Sequence, residues 1–250
     1  MLDRHSESGI LTLRLSHGKA SALDAELCET LRIELESVAE SNEARAVILT
    51  GTGGIFSAGV DLPRLISSGD DYVQRFLVAL DDAFRAMFLF PRPLVAAING
   101  HAIAGGAIMA WASDYRLMSG GKIGVPEALV GVPFPPLALE IVRYGVPKQH
   151  LQRLVHLAET YYATEALKIG LGDEVPEAHQ LMPRAQAVAE QLANIPPMTF
   201  ALTKRQLREP YLHDASLIAQ GSADAIDSLW GSPEIHERIR GYLDRTIRKK

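Results

Sequence analysis

The segment PLVAAINGHAIAGGAIMAWAS, from Pro93 to Ser113, carries no Asp, Glu, Lys or Arg in 21 residues. A run of that length can span a bilayer. Its middle argues otherwise, because Asn99, Gly100, His101 and the pair Gly105-Gly106 interrupt it. The segment reads instead as a buried strand (Leu94 to Ile98), a glycine-rich turn and a buried helix from about Gly105. Strands of a parallel sheet are apolar throughout because helices cover both faces. An α/β core is therefore expected.

The flanks fit that frame. Upstream, Leu11, Leu13 and Leu15 alternate with Thr12 and Arg14, the period of a strand. Leu27, Leu31, Leu35 and Val38 keep helical spacing behind a candidate N-cap, Asp24. AVILT at 46–50 is a second apolar strand, and GTGG at 51–54 is a tight turn with no ligand assigned. A polar loop leads to a helix over about Asp70 to Phe90, with Val73, Phe76, Leu77, Leu80, Phe84 and Met87 on one stripe. Pro91 and Pro93 end it. Downstream, Asp114 to Met118 reads as a strand, and from Pro147 onward the pattern is mostly helical. Ser232 caps the last helix, Pro233 suits its first position, and Ile235, Ile239 and Leu243 form its apolar stripe. Residues 1–195 are expected to form the core that holds the site, and 196–250 a C-terminal helical region.

Composition narrows the class without naming a function. The 250 residues are 47% hydrophobic and 22% charged, which excludes a disordered tail. Cys28 is the only cysteine, so no internal disulfide exists. A net charge of -5 disfavours nucleic-acid binding. MLDRHSESGI has no secretory pattern, and RTIRKK at 245–250 matches no lipidation or organelle address. A cytoplasmic protein with no membrane association is the expectation. The chain has no GxGxxG after a strand, no GxxxxGK[ST], no GxSxG and no HExxH. No metal site is expected, and His101, His150 and His156 are read as packing or solvated residues.

Two loops carry chemistry. FSAGVDL (56–62) and INGHAIAGG (98–106) each follow a short apolar strand and are rich in small residues. Gly59 and Gly105 let backbone approach a ligand closely. A helix beginning at Gly105 points free amides and a positive dipole end outward. Two converging N–H groups make an oxyanion hole for a carbonyl oxygen.

Together with AAINGHAIAGGAIMAWASDYRL (96–117), IGVPEALVGVPF (123–134) and the weaker ATEALKIGLGDEV (163–175), these loops resemble the crotonase family, the enoyl-CoA hydratases and isomerases. The resemblance covers roughly residues 10–210. It implies a ClpP/crotonase-like spiral of ββα units whose C-terminal helices assemble a trimer or a dimer of trimers. It implies an acyl-CoA thioester substrate of fatty-acid metabolism, as in β-oxidation, with coenzyme A part of the substrate and no separate cofactor. By carry-over, the N–H groups of Val60 and Gly105 hold the thioester oxygen. Ala58 and Asp61 lie near the adenine end of CoA, and Lys19 and Lys204 meet the CoA path. Leu62, Ile108 and Phe134 are also assigned to substrate contact.

The family's acids separate its members. Hydratases carry two glutamates. The first position is Ile108 here, and the second is filled by Glu127. A third acid position, that of the dienoyl-CoA isomerases, is Pro135. This pattern is similar to the single-glutamate Δ3,Δ2-enoyl-CoA isomerases, and NIPPMTFALTKRQLR (194–208) resembles the same branch. A hydratase, with a second acid such as Glu140, and a non-catalytic acyl-CoA binder are the alternatives.

Overall fold

Strands that are apolar at every position need cover on both faces, and the computed structural model supplies it. Residues 1–41 and 43–247 are described; the last three residues of RTIRKK lie outside them. The chain begins β1 (Leu2–Glu7), β2 (Ile10–Leu15), α1 (Ala25–Glu40), β3 (Ala46–Thr50), β4 (Ile55–Ser57), α2 (Leu62–Ser67) and α3 (Asp70–Phe88). It continues β5 (Leu94–Ile98), β6 (His101–Ile103), α4 (Gly105–Ala112), β7 (Tyr115–Met118), β8 (Lys122–Gly124), α5 (Glu127–Val130), α6 (Pro136–Gly145) and α7 (Lys148–His156). Last come β9 (Thr160–Tyr162), α8 (Ala163–Lys168), a 3₁₀ turn (Ala178–Gln180), α9 (Leu181–Ala193), α10 (Pro197–Trp230) and α11 (Pro233–Ile247).

One sheet has the order β1-β2-β3-β5-β7, parallel except for the β1–β2 hairpin. Alternate residues go to opposite faces. Leu11, Leu13, Val47, Leu49, Leu94, Ala96 and Ile98 enter the main core with α1, α3 and α4. Ile10, Ala46, Ile48, Val95, Ala97 and Leu117 meet Leu181, Ala185, Val188 and Ala189 of α9 on the other face. The charge-free segment is thus buried by protein, and no helix of the described residues is long and apolar enough to cross a membrane.

The second sheet, β4-β6-β8-β9, is parallel except for its last pair. Short strands make it hard to read from sequence. Ile55–Ser57 sits inside what reads as a loop, and three residues are too few to establish a period. β9 likewise interrupts the helical stretch after Pro147. The hairpin strand β1 is missed for another reason: it is an edge strand with exposed Asp3, Arg4, His5 and Glu7. The capping expectations hold. Leu27 N–H donates to Asp24 Oδ1 at 2.8 Å, and Ile235 N–H to Ser232 Oγ at 3.2 Å.

α10 is locked to the core through charge. Arg208, fully buried, donates to the carbonyls of Phe88, Ala112 and Ser113 and to Asp114 Oδ1 at 2.8 Å. Three of these acceptors lie at or just beyond the C-terminal end of α4. Removing one partner of a buried pair leaves the other uncompensated, at a cost of about 3–5 kcal/mol. Arg208→Met is therefore expected to melt roughly 10 °C lower in thermal unfolding; a change of a degree or two would mean that the cluster contributes little.

Candidate active site

Three adjacent parallel strands, β4, β6 and β8, release the chain at one edge of the second sheet. Ligands of parallel sheets bind beyond the carboxyl ends of strands. Val60 follows β4, Gly105 follows β6 and Glu127 follows β8. The ends of β6 and β8 stay joined beyond their pairing, with Ala104 N–H donating to Gly124 O at 2.9 Å.

The first two loops are in direct contact. Gly59 has φ +81°, and a Cβ placed on it would lie 2.6 Å from Ala104 Cβ, 2.7 Å from Ile103 O and 3.0 Å from Gly105 N. Only a residue without a side chain fits there. A Cβ on Gly106 would lie 2.4 Å from Ser57 O, so the start of α4 is pressed onto β4. Ala104, immediately before α4, is held at φ 53°, ψ −125°. Such strain persists where surrounding structure over-determines it, and it clusters at ligand sites.

The N–H groups of Val60 and Gly105 both lack a hydrogen-bond acceptor among the described residues. For Gly105 the reason is its place in the first turn of a helix. Ala104 O accepts from Ala107 N–H and Ile108 N–H, so the Gly105 N–H of the same peptide points the other way, out of the helix. Two unpaired donors thus sit on touching loops at one strand edge.

Glu127 opens α5, a single turn that closes at Gly131. Its carbonyl is occupied by Gly131 N–H at 2.8 Å and Val132 N–H at 3.2 Å. Its side chain is buried, and Oε2 has no hydrogen-bond partner. Burial pushes the carboxyl up to about 8, opposed only by its own backbone N–H. No neighbouring acid contributes to the rise. A carboxyl that titrates near neutrality, with a free oxygen, suits proton transfer.

The sequence profile described as enoyl-CoA hydratase/isomerase matches residues 5–246. The chain belongs to that family. It is 29% identical to "Enoyl-CoA delta isomerase 1, mitochondrial" of Rattus norvegicus, over all of this chain and 88% of that protein. It is 25% identical to "Short-chain-enoyl-CoA hydratase" of Clostridium acetobutylicum, over 96% of this chain and 93% of that protein. The crystal structure of human mitochondrial delta3-delta2-enoyl-CoA isomerase has the same fold, with TM-score 0.93, 24% identity and coverage of 100% and 99% of the two chains. The crotonase architecture expected from the motifs is the one observed.

Within this family fold the remaining expected residues are placed as follows. Ile108 is buried in the first turn of α4, and Val60, Leu62 and Phe134 are partly buried against the same core. Lys19 and Ala58 are exposed on neighbouring loops, with Ala58 N–H donating to Ala20 O at 3.1 Å. Asp61 caps α2 by accepting from Arg64 N–H at 3.0 Å. Lys204 is a correction. It is 5% exposed, and its ammonium donates to Asp114 Oδ2 at 2.7 Å and Arg92 O at 3.2 Å. Burial brings it down to about 8, aided by Arg208 and opposed by Asp114. A lysine committed to the α4–α10 junction is not available to CoA phosphates. Glu140 is also buried, with Oε1 2.6 Å from Arg143, whose Nη1 lies 3.5 Å from Asp214.

Sequence reasoning missed the C-terminal support of the site. Trp230 Nε1–H donates to Pro133 O at 3.1 Å, and α11 packs against both α2 and α5. Trp230, the last residue of α10, was the available signal. The GTGG turn, by contrast, is explained by packing. Gly51 N–H donates to Asn99 Oδ1 and Asn99 Nδ2 donates to Gly53 O, which stitch it to the β5–β6 turn.

Proposed function

We propose that the chain is a Δ3,Δ2-enoyl-CoA isomerase with Glu127 as its single acid/base. The observation that carries this reading is the buried Glu127 carboxyl with a free oxygen and no second acid acting on it. The ionised carboxylate removes a C2 proton from a 3-enoyl thioester. The electrons move into the thioester, whose oxygen becomes an oxyanion held by Val60 N–H and Gly105 N–H. The same carboxyl returns the proton at C4, leaving the double bond between C2 and C3. Nothing is added or lost, so one group suffices. Hydration needs a second group to hold and deprotonate water. The position expected for it is the apolar Ile108, and Glu140 is engaged by Arg143.

Conversion of 3-hexenoyl-CoA to the conjugated 2-enoyl thioester, followed by its absorbance, tests the proposal. Isomerisation should far outrun hydration of crotonyl-CoA. Faster hydration would replace the reading with a hydratase, and calorimetric binding without turnover would replace it with a binder. The base must be ionised, so kcat/KM is expected to rise about tenfold per pH unit below the carboxyl's range and to level off above about 8. A flat profile from pH 6 to 9 would remove Glu127 from the role.

Residues 196–250 are the proposed assembly region of a homotrimer or a dimer of trimers. Exposed Met198, Leu202, Leu207 and Leu217 along α10 support it. Sedimentation that gave a monomer at micromolar concentration would exclude it.

A further inference from the structure

The aim of the Val60 amide is set from outside its own loop. In a trans peptide the Gly59 C=O and the Val60 N–H point in opposite directions. Leu23 N–H donates to Gly59 O at 2.7 Å, which turns Val60 N–H away from Leu23. Asp61 N–H donates to Leu23 O at 2.9 Å on the other side of Val60. Val60 O accepts from Leu62 N–H at 2.8 Å across an inverse γ-turn at Asp61 (φ −70°, ψ 78°). The direction of the free donor therefore follows the position of Leu23.

Leu23 is followed by Asp24, which is 2% exposed. Asp24 Oδ1 accepts the α1 cap bond, and Oδ2 lies 2.7 Å from Arg64 Nη1 and 2.8 Å from His17 Nε2. Burial pushes this carboxyl up, but the Leu27 N–H, His17 and Arg64 outweigh it and hold it below its ordinary range. Arg64 lies on α2, the helix that Asp61 caps. It also reaches Glu26 Oε2 at 2.8 Å and stacks 4.8 Å over the ring of Tyr72 in α3. One buried carboxylate thus fastens the start of α1, the loop carrying His17 and Lys19, and the helix that follows Val60. None of these side chains has a part in the proton transfer above.

We propose that Asp24 and Arg64 are positioning residues, an ion-paired clamp that holds Leu23 against Gly59–Asp61 and so aims the Val60 N–H at the substrate carbonyl. The inference rests on the oxyanion role of Val60 and Gly105 in the proposed function. Small misplacements of a reacting geometry are costly, on the order of a hundredfold for 1 Å. A relaxed clamp leaves the loop in place and loses only its aim.

Asp24→Asn and Arg64→Met test this. Asparagine still caps α1, so the first variant removes charge and keeps the helix start. Each variant is expected to lower kcat on 3-hexenoyl-CoA by about tenfold or more with KM nearly unchanged. The double variant should be no worse than the singles, because one clamp is broken once. Arg64→Lys should recover part of the loss. The second readout is the carbonyl infrared band of bound butyryl-CoA labelled at its thioester carbon. Two aimed donors lower that band, and the variants should return it toward the free thioester. Unchanged kcat and an unchanged band in both variants would overturn the clamp. So would a loss of rate, measured well below each variant's Tm, that leaves the band in place. A band that relaxes in the variants while the parent protein fails to isomerise 3-hexenoyl-CoA would support the clamp and sink the isomerase reading. A parent that isomerises with an unshifted band would do the reverse. A parent that binds no butyryl-CoA and turns nothing over would end both.

Discussion

Glu127→Gln is expected to reduce isomerisation of 3-enoyl-CoA by about 10²–10⁴-fold, the ordinary contribution of a positioned acid/base. The substitution keeps shape and volume and removes the ability to accept a proton, so the fold and acyl-CoA affinity should persist. Stability gives an independent check. Burial raises this carboxyl from 4.5 to about 8. As pH rises from 4.5, the unfolded chain loses its proton first while the folded chain keeps it. Stability from this group is fully present below about 4.5, declines across that window and is lost above about 8. Glutamine has no such loss. The variant's Tm should exceed that of the parent protein by more at pH 8.5 than at pH 5. Full turnover in Glu127→Gln would sink the mechanism, and equal Tm differences at the two pH values would show that the carboxyl is not desolvated.

Gly59→Ala is expected to cost about 10²–10³-fold in kcat, the effect of losing one oxyanion donor. The new Cβ would have to clear Ile103 O at 2.7 Å and Ala104 Cβ at 2.6 Å, and the first of these is backbone. The Val60 loop and the start of α4 must then separate, and the two donors with them. The positive φ adds strain of roughly 1–2 kcal/mol. Gly53→Ala isolates that strain. Gly53 has φ +63°, and nothing lies within 4 Å of a Cβ placed there. It should lose stability and keep its rate. If both alanines leave kcat unchanged, the contact of the two loops is not what positions the donors. If both lower it equally, backbone strain alone explains the loss.

The legible parts of the fold were those governed by local rules. Leu94–Ile98 and Ala46–Thr50 could be read as buried strands because every position but Thr50 is apolar. Asp24 and Ser232 could be read as caps because the bond that defines a cap lies within three residues. Lys204 could not be read. It occupies a helix with exposed Arg205 and Glu209 nearby, and only the approach of Asp114 from the core distinguishes it. Asp24 was read as a cap and nothing more, since its bonds to Arg64 and His17 depend on loops packed against it.

By itself the sequence determined an α/β core, both loops that carry unpaired amides, and the identity of the one acid among the family's three positions. The first two follow from periodicity and glycine placement, properties of short stretches, and the third from the family resemblance of several motifs in register. Tertiary structure decided that Gly59 packs against the Ala104 side chain and the Ile103 and Gly105 backbone, that Glu127 is buried away from water, and that Lys204 is spent on anchoring α10. Burial and aim are set by segments far apart in the chain, by α11 behind α5 and by Leu23 beside Val60. A carboxyl's affinity for its proton depends on those neighbours, which no local pattern records.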